Sequence, residues 1–185
     1  TDLSGNVGTF IQNITLIDNT PPTLMFTHPD LAGVMNGDTI FTECTNDLPF
    51  GRDDVDAFDL CSEVEIDFVD FVRNAGNCPT DGFIFEMVCT WTATDACGNT
   101  AELTITVFFV DTEAPTLMGV SADITVQCGE IPPNDANVTA TDVCDQNVSV
   151  TFMEIRDPAD TCSTYNLIRR WTATDDCGNS DTGEQ

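Results

Sequence analysis

The side chains able to do chemistry in this chain are acidic or sulfur-bearing: 32 Asp and Glu stand against 5 Arg and no Lys, with one His and nine cysteines. Short-chained carboxylates interleaved with Asn suit calcium, which takes about six to eight oxygens and tolerates irregular loop geometry. A formal net charge of −27 argues against nucleic acid and anionic membrane surfaces as partners, since both need clustered cations. The cysteines form no Cys-x-x-Cys pair and His28 is the sole imidazole, so zinc binding and thiol redox catalysis are disfavoured. Disulfides formed in an oxidising, extracellular compartment are the expected use of the sulfur. No enzyme is expected: His28 lacks a nucleophile partner, there is no phosphate-cradling glycine loop or zinc-protease helix motif, and no two carboxylates stand out as a glycosidase pair. Without Lys, internal Lys-Asn isopeptide bonds are excluded.

These residues recur at fixed places. Trp-Thr-Ala-Thr-Asp-x-Cys-Gly-Asn occurs at residues 91–99 and again at 171–179, with a degenerate copy at 1–6. Cys44, Cys61 and Cys78 return as Cys128, Cys144 and Cys162, and Cys97 returns as Cys177. Cys89 has no cysteine counterpart, its place being taken by Arg169. The linker at residues 17–25 matches 110–118, 93 residues later. Self-similarity at such a period indicates a repeat. The expected organisation is the final strand of a preceding unit at 1–17, unit one at 18–110, and unit two at 111–185 lacking its last strand, with about nine extra residues in unit one between Met25 and Cys44. The chain begins without a secretion leader, so either one was removed or this is a window from a longer polypeptide, and with no apolar run of membrane-spanning length no direct membrane insertion is expected.

Short stretches rich in Val, Ile, Thr, Phe and Trp (103–110, 124–128, 147–152, 166–174), bounded by Gly, Pro, Asn and Asp, read as strands. About seven per unit point to an all-β fold of tandem immunoglobulin-like β-sandwich domains. In such a sandwich the first strand runs away from the N-terminal end, while the second and the sixth return to it. Cys128 ends the first strand and Cys162 precedes the sixth; Cys144 follows the second and Cys177 follows the sixth. The expected bridges are therefore Cys128 with Cys162, Cys144 with Cys177, Cys44 with Cys78, and Cys61 with Cys97. Cys89 is expected to be a free thiol buried as a small hydrophobe, and Arg169 in the same place suggests partial burial or stacking near Trp171.

The same polarity gathers oxygen donors at one end of each unit. In unit two these are Asp111, Glu113, Asp142, Asp145, Asp175, Asp176 and Asn179; in unit one, Asp18, Asp59, Glu63, Asp95 and Asn99, with Asp53, Asp54 and Asp56 as an additional cluster. Calcium held there would stiffen one domain against the next, whereas on the plainer alternative Asp and Asn merely close turns.

Thr-Val-x-Cys-Gly at 125–129, Ala-Thr-Asp-x-Cys-Asp at 140–145, Arg-x-Trp-Thr-Ala-Thr-Asp-x-Cys-Gly-Asn at 169–179 and Asp-Thr-x-Ala-Pro at 111–115 together resemble the hyalin-repeat-like, immunoglobulin-like tandem modules of very large bacterial surface proteins and adhesins of gliding-type bacteria. The linker at 18–22 also resembles the calcium-binding linker of cadherins. Unit one departs from the pattern with its insertion, Cys89, and Phe-Asp-Leu-Cys-Ser at 58–62. The resemblance implies extracellular, cell-surface display in a stalk or filament, with neighbouring repeats or copies of the same chain as partners. A ligand-binding adhesin module would instead take surface glycans or proteins, most naturally at the insertion of residues 26–42, and an accessory domain of a secreted enzyme is the third possibility. Residues 7–17 are a spare strand that a neighbouring molecule's second unit could accept by strand addition.

Overall fold

The computed structural model describes residues 3–5, 7–44, 50–127, 129–134, 137–156 and 165–185. The fold is mostly β. In the first half, β1 (Thr23–Phe26) pairs antiparallel with β3 (Val55–Phe58), and a four-stranded sheet has the order β2-β6-β5-β4, from β2 (Thr39–Glu43), β6 (Thr100–Val110), β5 (Phe85–Asp95) and β4 (Val64–Ala75). A one-turn helix, α1 (Cys78–Asp81), joins β4 to β5. Alternation explains the core: Cys89, Trp91 and Ala93 share one face of β5 and are wholly buried, as are Ile105 and Val107 on β6. Trp91 receives the edge of Phe26 from β1 at 5.4 Å, lies 5.0 Å from Phe68 of β4, and donates its indole N–H to the Gly51 carbonyl at 2.8 Å. The β1–β3 pair thus packs on one face of the larger sheet, with Leu31, Phe50 and Val55 in the shared cluster.

The insertion is part of this core. Pro29–Leu31 forms a 3-10 turn that buries Leu31, and Asn36 binds the edge of β6 by accepting from the Thr104 N–H and donating to the Glu102 carbonyl.

The second half repeats the pairings in smaller form. β7 (Thr116–Met118) pairs antiparallel with β8 (Thr139–Thr141), and a three-stranded sheet has the order β11-β10-β9, from β11 (Ser180–Glu184), β10 (Leu167–Thr174) and β9 (Ser149–Arg156). Trp171 and Ala173 form its buried centre, with Phe152 at 5.2 Å from Trp171. The expected first strand at 124–128 is not formed over residues 124–127, and Cys128 lies outside the described residues. The counterpart of that stretch, β2, pairs in parallel with residues 106–110 of β6. The equivalents of 106–110 are not among the 185 residues, so 124–127 lack that pairing edge.

Cys89 is a free, fully buried thiol. Arg169 is also buried rather than half-exposed, and it does not depend on stacking with Trp171. Its guanidinium donates to the carbonyls of Pro132 and Pro133 at 2.6 and 3.3 Å and to Glu154 at 3.2 Å. A buried cation needs this saturation of its donors.

The bridges differ from expectation. The structure joins Cys44 to Cys144 and Cys78 to Cys177, in place of Cys44 with Cys78 and Cys144 with Cys177. Cys61 and Cys97 are exposed free thiols instead of a pair, and Cys128 with Cys162 falls outside the described residues. Strand polarity places each of these cysteines at an end of its half, and the short linker at 111–115 sets those two ends against each other. Four cysteines then converge, and proximity within the cluster, with Cα separations of 5.6 and 4.8 Å across the junction, decides partners that polarity could not. Closing a loop of 100 residues is worth about 4 to 5 kcal/mol in the chain-entropy model. Peptide mapping without reduction is expected to return Cys44 joined to Cys144 and Cys78 joined to Cys177. Calorimetry under reductant should show a lower Tm and separate transitions for the two halves; an unchanged single transition would contradict the coupling.

Candidate functional site at the acidic junction

The two copies of the repeated stretch fold into the same turn. Asp95 Oδ1 accepts the N–H groups of Cys97 and Asn99, both at 2.8 Å, and Oδ2 accepts the Asn99 amide at 2.7 Å. These bonds, led by that from the Asn99 side chain, hold the Asp95 carboxyl below its ordinary pKa. Asp175 accepts from the Asn179 N–H and side chain at 2.8 and 2.9 Å. Gly98 and Gly178 sit at φ +89° and +92°, where a Cβ is disfavoured. Asn99 and Asn179 then donate their side-chain amides to linker carbonyls, to Asp18 at 3.5 Å and Asp111 at 3.1 Å.

A second loop also repeats. Asp59 Oδ1 accepts from the N–H groups of Cys61 (2.7 Å) and Ser62 (3.0 Å), and Asp142 Oδ1 from those of Cys144 (2.7 Å) and Asp145 (2.9 Å). Each loop amide pair occupies one carboxylate oxygen and leaves Oδ2 of Asp59 and Asp142 without a hydrogen bond among the described residues.

The expected donors therefore separate into ligand candidates and turn-makers, with Asp175 serving as both. Asp111, Asp142 and Asp175 come together, each with a carboxylate oxygen within 4.8 Å of the others, and Asp18 and Asp59 meet likewise beside Cys61. Asn99, Asn179 and Asp95 are committed to turns. Asp145 accepts from the N–H groups of Asn147 and Asp176 at 2.7 and 2.9 Å and is a loop brace. Asp176 and Glu113 are exposed at the rim, and Glu63 is exposed and outside both groups. In the extra acidic cluster, Asp54 caps a 3-10 turn by accepting the Gly51 N–H, and no three-residue metal group forms there among the described residues.

Glu43 is the participant that sequence reading missed. It accepts from the Thr112 N–H at 3.2 Å and from the Thr112 hydroxyl, and its carboxylate lies within 4.8 Å of Asp111. The counterpart of Glu43 is Gln127, so no repeated acidic signal marks the position. Cys144 lies in the same group, but as a bridged sulfur it is not a thiolate ligand.

Asp111 is the anomalous member. It is 6% exposed, and its Oδ1 is buried without a hydrogen-bond partner among the described residues. Burial, then the charges of Asp142 and Asp175, push its pKa up from an ordinary 3.8 to about 6, against one hydrogen bond from the Glu113 N–H. An orphaned buried oxygen facing two more carboxylates fits a hard divalent cation, and an all-oxygen donor set favours calcium over softer metals. Beside it an open cleft is lined by Cys78, Asp111, Cys144, Asp145, Asp176 and Cys177 among others.

Comparison with models of known protein families finds no match. A search of curated proteins likewise finds no significant relative.

A raised folded pKa means that Asp111 favours the folded state below pH 4 and that this contribution is lost as pH rises through about 6. In chelator at pH 7, D111N is thus expected to raise Tm by several degrees, and its advantage over the parent should shrink between pH 6 and 4. Thermal melts of both proteins across that range check the sign; a D111N variant less stable than the parent in chelator at pH 7 would refute the unfavourable charge.

Proposed function

We propose that the chain is an extracellular structural and adhesive segment made of tandem immunoglobulin-like sandwich units of the hyalin-repeat-like kind, built into a stiff stalk or filament at a cell surface. The observation that carries this reading is the junction, where two disulfides cross between the halves and three carboxylates converge on the linker. Calcium at Asp111, Asp142 and Asp175 stiffens that joint further, and Asp18 with Asp59 supplies part of an equivalent site at the other end of the first unit. Two disulfides accord with a non-cytoplasmic location. No helix among the described residues is long and apolar enough to cross a membrane.

The alternative of a ligand-binding module centred on the insertion has less support, because residues 29–37 are spent on burying Leu31 and binding the edge of β6. An accessory role beside a catalytic domain leaves the joint unexplained.

Calcium titration by calorimetry tests the site directly. Saturating calcium is expected to raise Tm in the manner of a native-state ligand, by about 2.7 kcal/mol of stability at a hundredfold excess over Kd. D142N and D111N should each weaken binding at least about tenfold, corresponding to loss of about 1.4 kcal/mol or more. Absence of both binding heat and any Tm shift would remove calcium from the proposal. Electron images of the native assembly showing no serial units would remove the stalk.

A further inference from the structure

Cys61 and Cys97 stand in the same local frames as Cys144 and Cys177. Cys61 follows the Asp59 loop as Cys144 follows the Asp142 loop, and Cys97 lies in the Asp95 turn as Cys177 lies in the Asp175 turn. Asp18 reaches the first frame as Asp111 reaches the second, each through its carbonyl to the turn asparagine. The chemical states differ: Cys144 and Cys177 are bridged, whereas Cys61 and Cys97 are exposed free thiols.

Those that hold Cys144 and Cys177 come from the end of the first half that abuts the linker. Cys44 donates its N–H to the carbonyl of Val110, the last residue of β6, at 2.8 Å, so it stands where the chain leaves that strand. Val110 corresponds to Ile17 under the linker match, and the residues before Ile17 include Val7, Phe10, Ile11, Ile14 and Leu16, all exposed. Phe10 is 90% exposed and Leu16 91%, and residues 7–17 belong to no sheet. A final strand without its sheet therefore leads straight to the face that carries two unbridged cysteines.

We propose that Cys61 and Cys97 are the covalent docking face for a preceding unit of this same kind, whose final strand is residues 7–17, and that they form disulfides with that unit's equivalents of Cys44 and Cys78 respectively. The junction bridges would then recur from unit to unit as a ladder along the polypeptide. Each bridge joins two thiols with loss of two protons and two electrons, which reduce one molecule of a disulfide oxidant to two thiols. The inference rests on the proposed array of like units and extends it from a noncovalent stack to a stapled one.

The test is mass mapping of the native, full polypeptide, digested without reduction after iodoacetamide blocks free thiols. Expected are Cys61 and Cys97 peptides, each joined to a cysteine peptide from a unit upstream of Thr1, and neither alkylated. In a C61S/C97S variant the two upstream cysteines should become alkylated while Cys44 to Cys144 and Cys78 to Cys177 stay bridged, which separates loss of the staple from failure to fold. Cys61 joined to Cys97, full alkylation of both, or linkage to Cys128 and Cys162 of another copy would each overturn the proposal. An upstream sequence without a unit of this kind would overturn the array as well; a unit present but unbridged overturns only the staple.

Discussion

Two ends of a strongly acidic molecule are held face to face across a five-residue linker, and the linker is gripped from both sides. Glu43 of the first half accepts two hydrogen bonds from Thr112, and Asn179 of the second donates to the Asp111 carbonyl. Pro115 at the far end of the linker is fully buried. The disulfides, one of them with its Cys144 sulfur beside Glu43 and Asp111, span 100 and 99 residues of sequence, so the halves cannot separate without breaking covalent bonds. Asp111 is thus held from both halves, by Glu43 through its neighbour Thr112 and by Asn179 through its own carbonyl.

The repeated nine-residue stretch serves the clamp at every position that does not vary. Trp91 and Trp171 anchor their sheets, and the alanines two residues on have no exposed surface. The aspartate closes the turn, the glycine supplies the positive φ, and the asparagine passes one hydrogen bond to the linker. The cysteine sits where that turn meets whatever abuts it. The motif is thus used chiefly for positioning, and in its second copy Asp175 also faces Asp111 and Asp142.

Much of this was legible in advance, because strand alternation and repeat offsets are local properties. The β fold follows from period-2 patterning, and of the unit-two donors grouped by strand polarity Asp111, Asp142 and Asp175 meet while Asp145, Asp176 and Glu113 do not join them. The pairing of Cys44, Cys78, Cys144 and Cys177 did not follow, since it depends on how closely two ends abut, which no pattern within either half encodes. Residues 124–127 carry the composition of a strand, yet a strand also needs a partner edge, and their counterpart β2 finds its own only at residues 106–110. Glu43 was invisible because its counterpart is Gln127. Arg169 in place of Cys89 was legible as an exchange but not as a burial: the pocket of carbonyls from Pro132 and Pro133 that receives the guanidinium is assembled from distant chain.

The joint divides its work between two kinds of bond, and the division has a physical reason. Carboxylates brought together at low exposure repel, and the raised pKa of Asp111 reflects its desolvation first and that repulsion second. Disulfides are indifferent to this charge and to ionic strength, so they hold the ends together whether or not the repulsion is neutralised. A cation neutralises it only when present. The covalent frame keeps this repulsion from parting the two ends, and a divalent ion bound there, as proposed, would meet a partly assembled set of oxygens at less ordering cost than loose loops would impose. In the first half, Asp18 and Asp59 converge without such bridges, and Asp18 Oδ2 is likewise buried with no partner among the described residues. The first site thus has two of the three carboxylates and only one side of the clamp, and a unit docked on Cys61 and Cys97, as proposed, is what would supply the other.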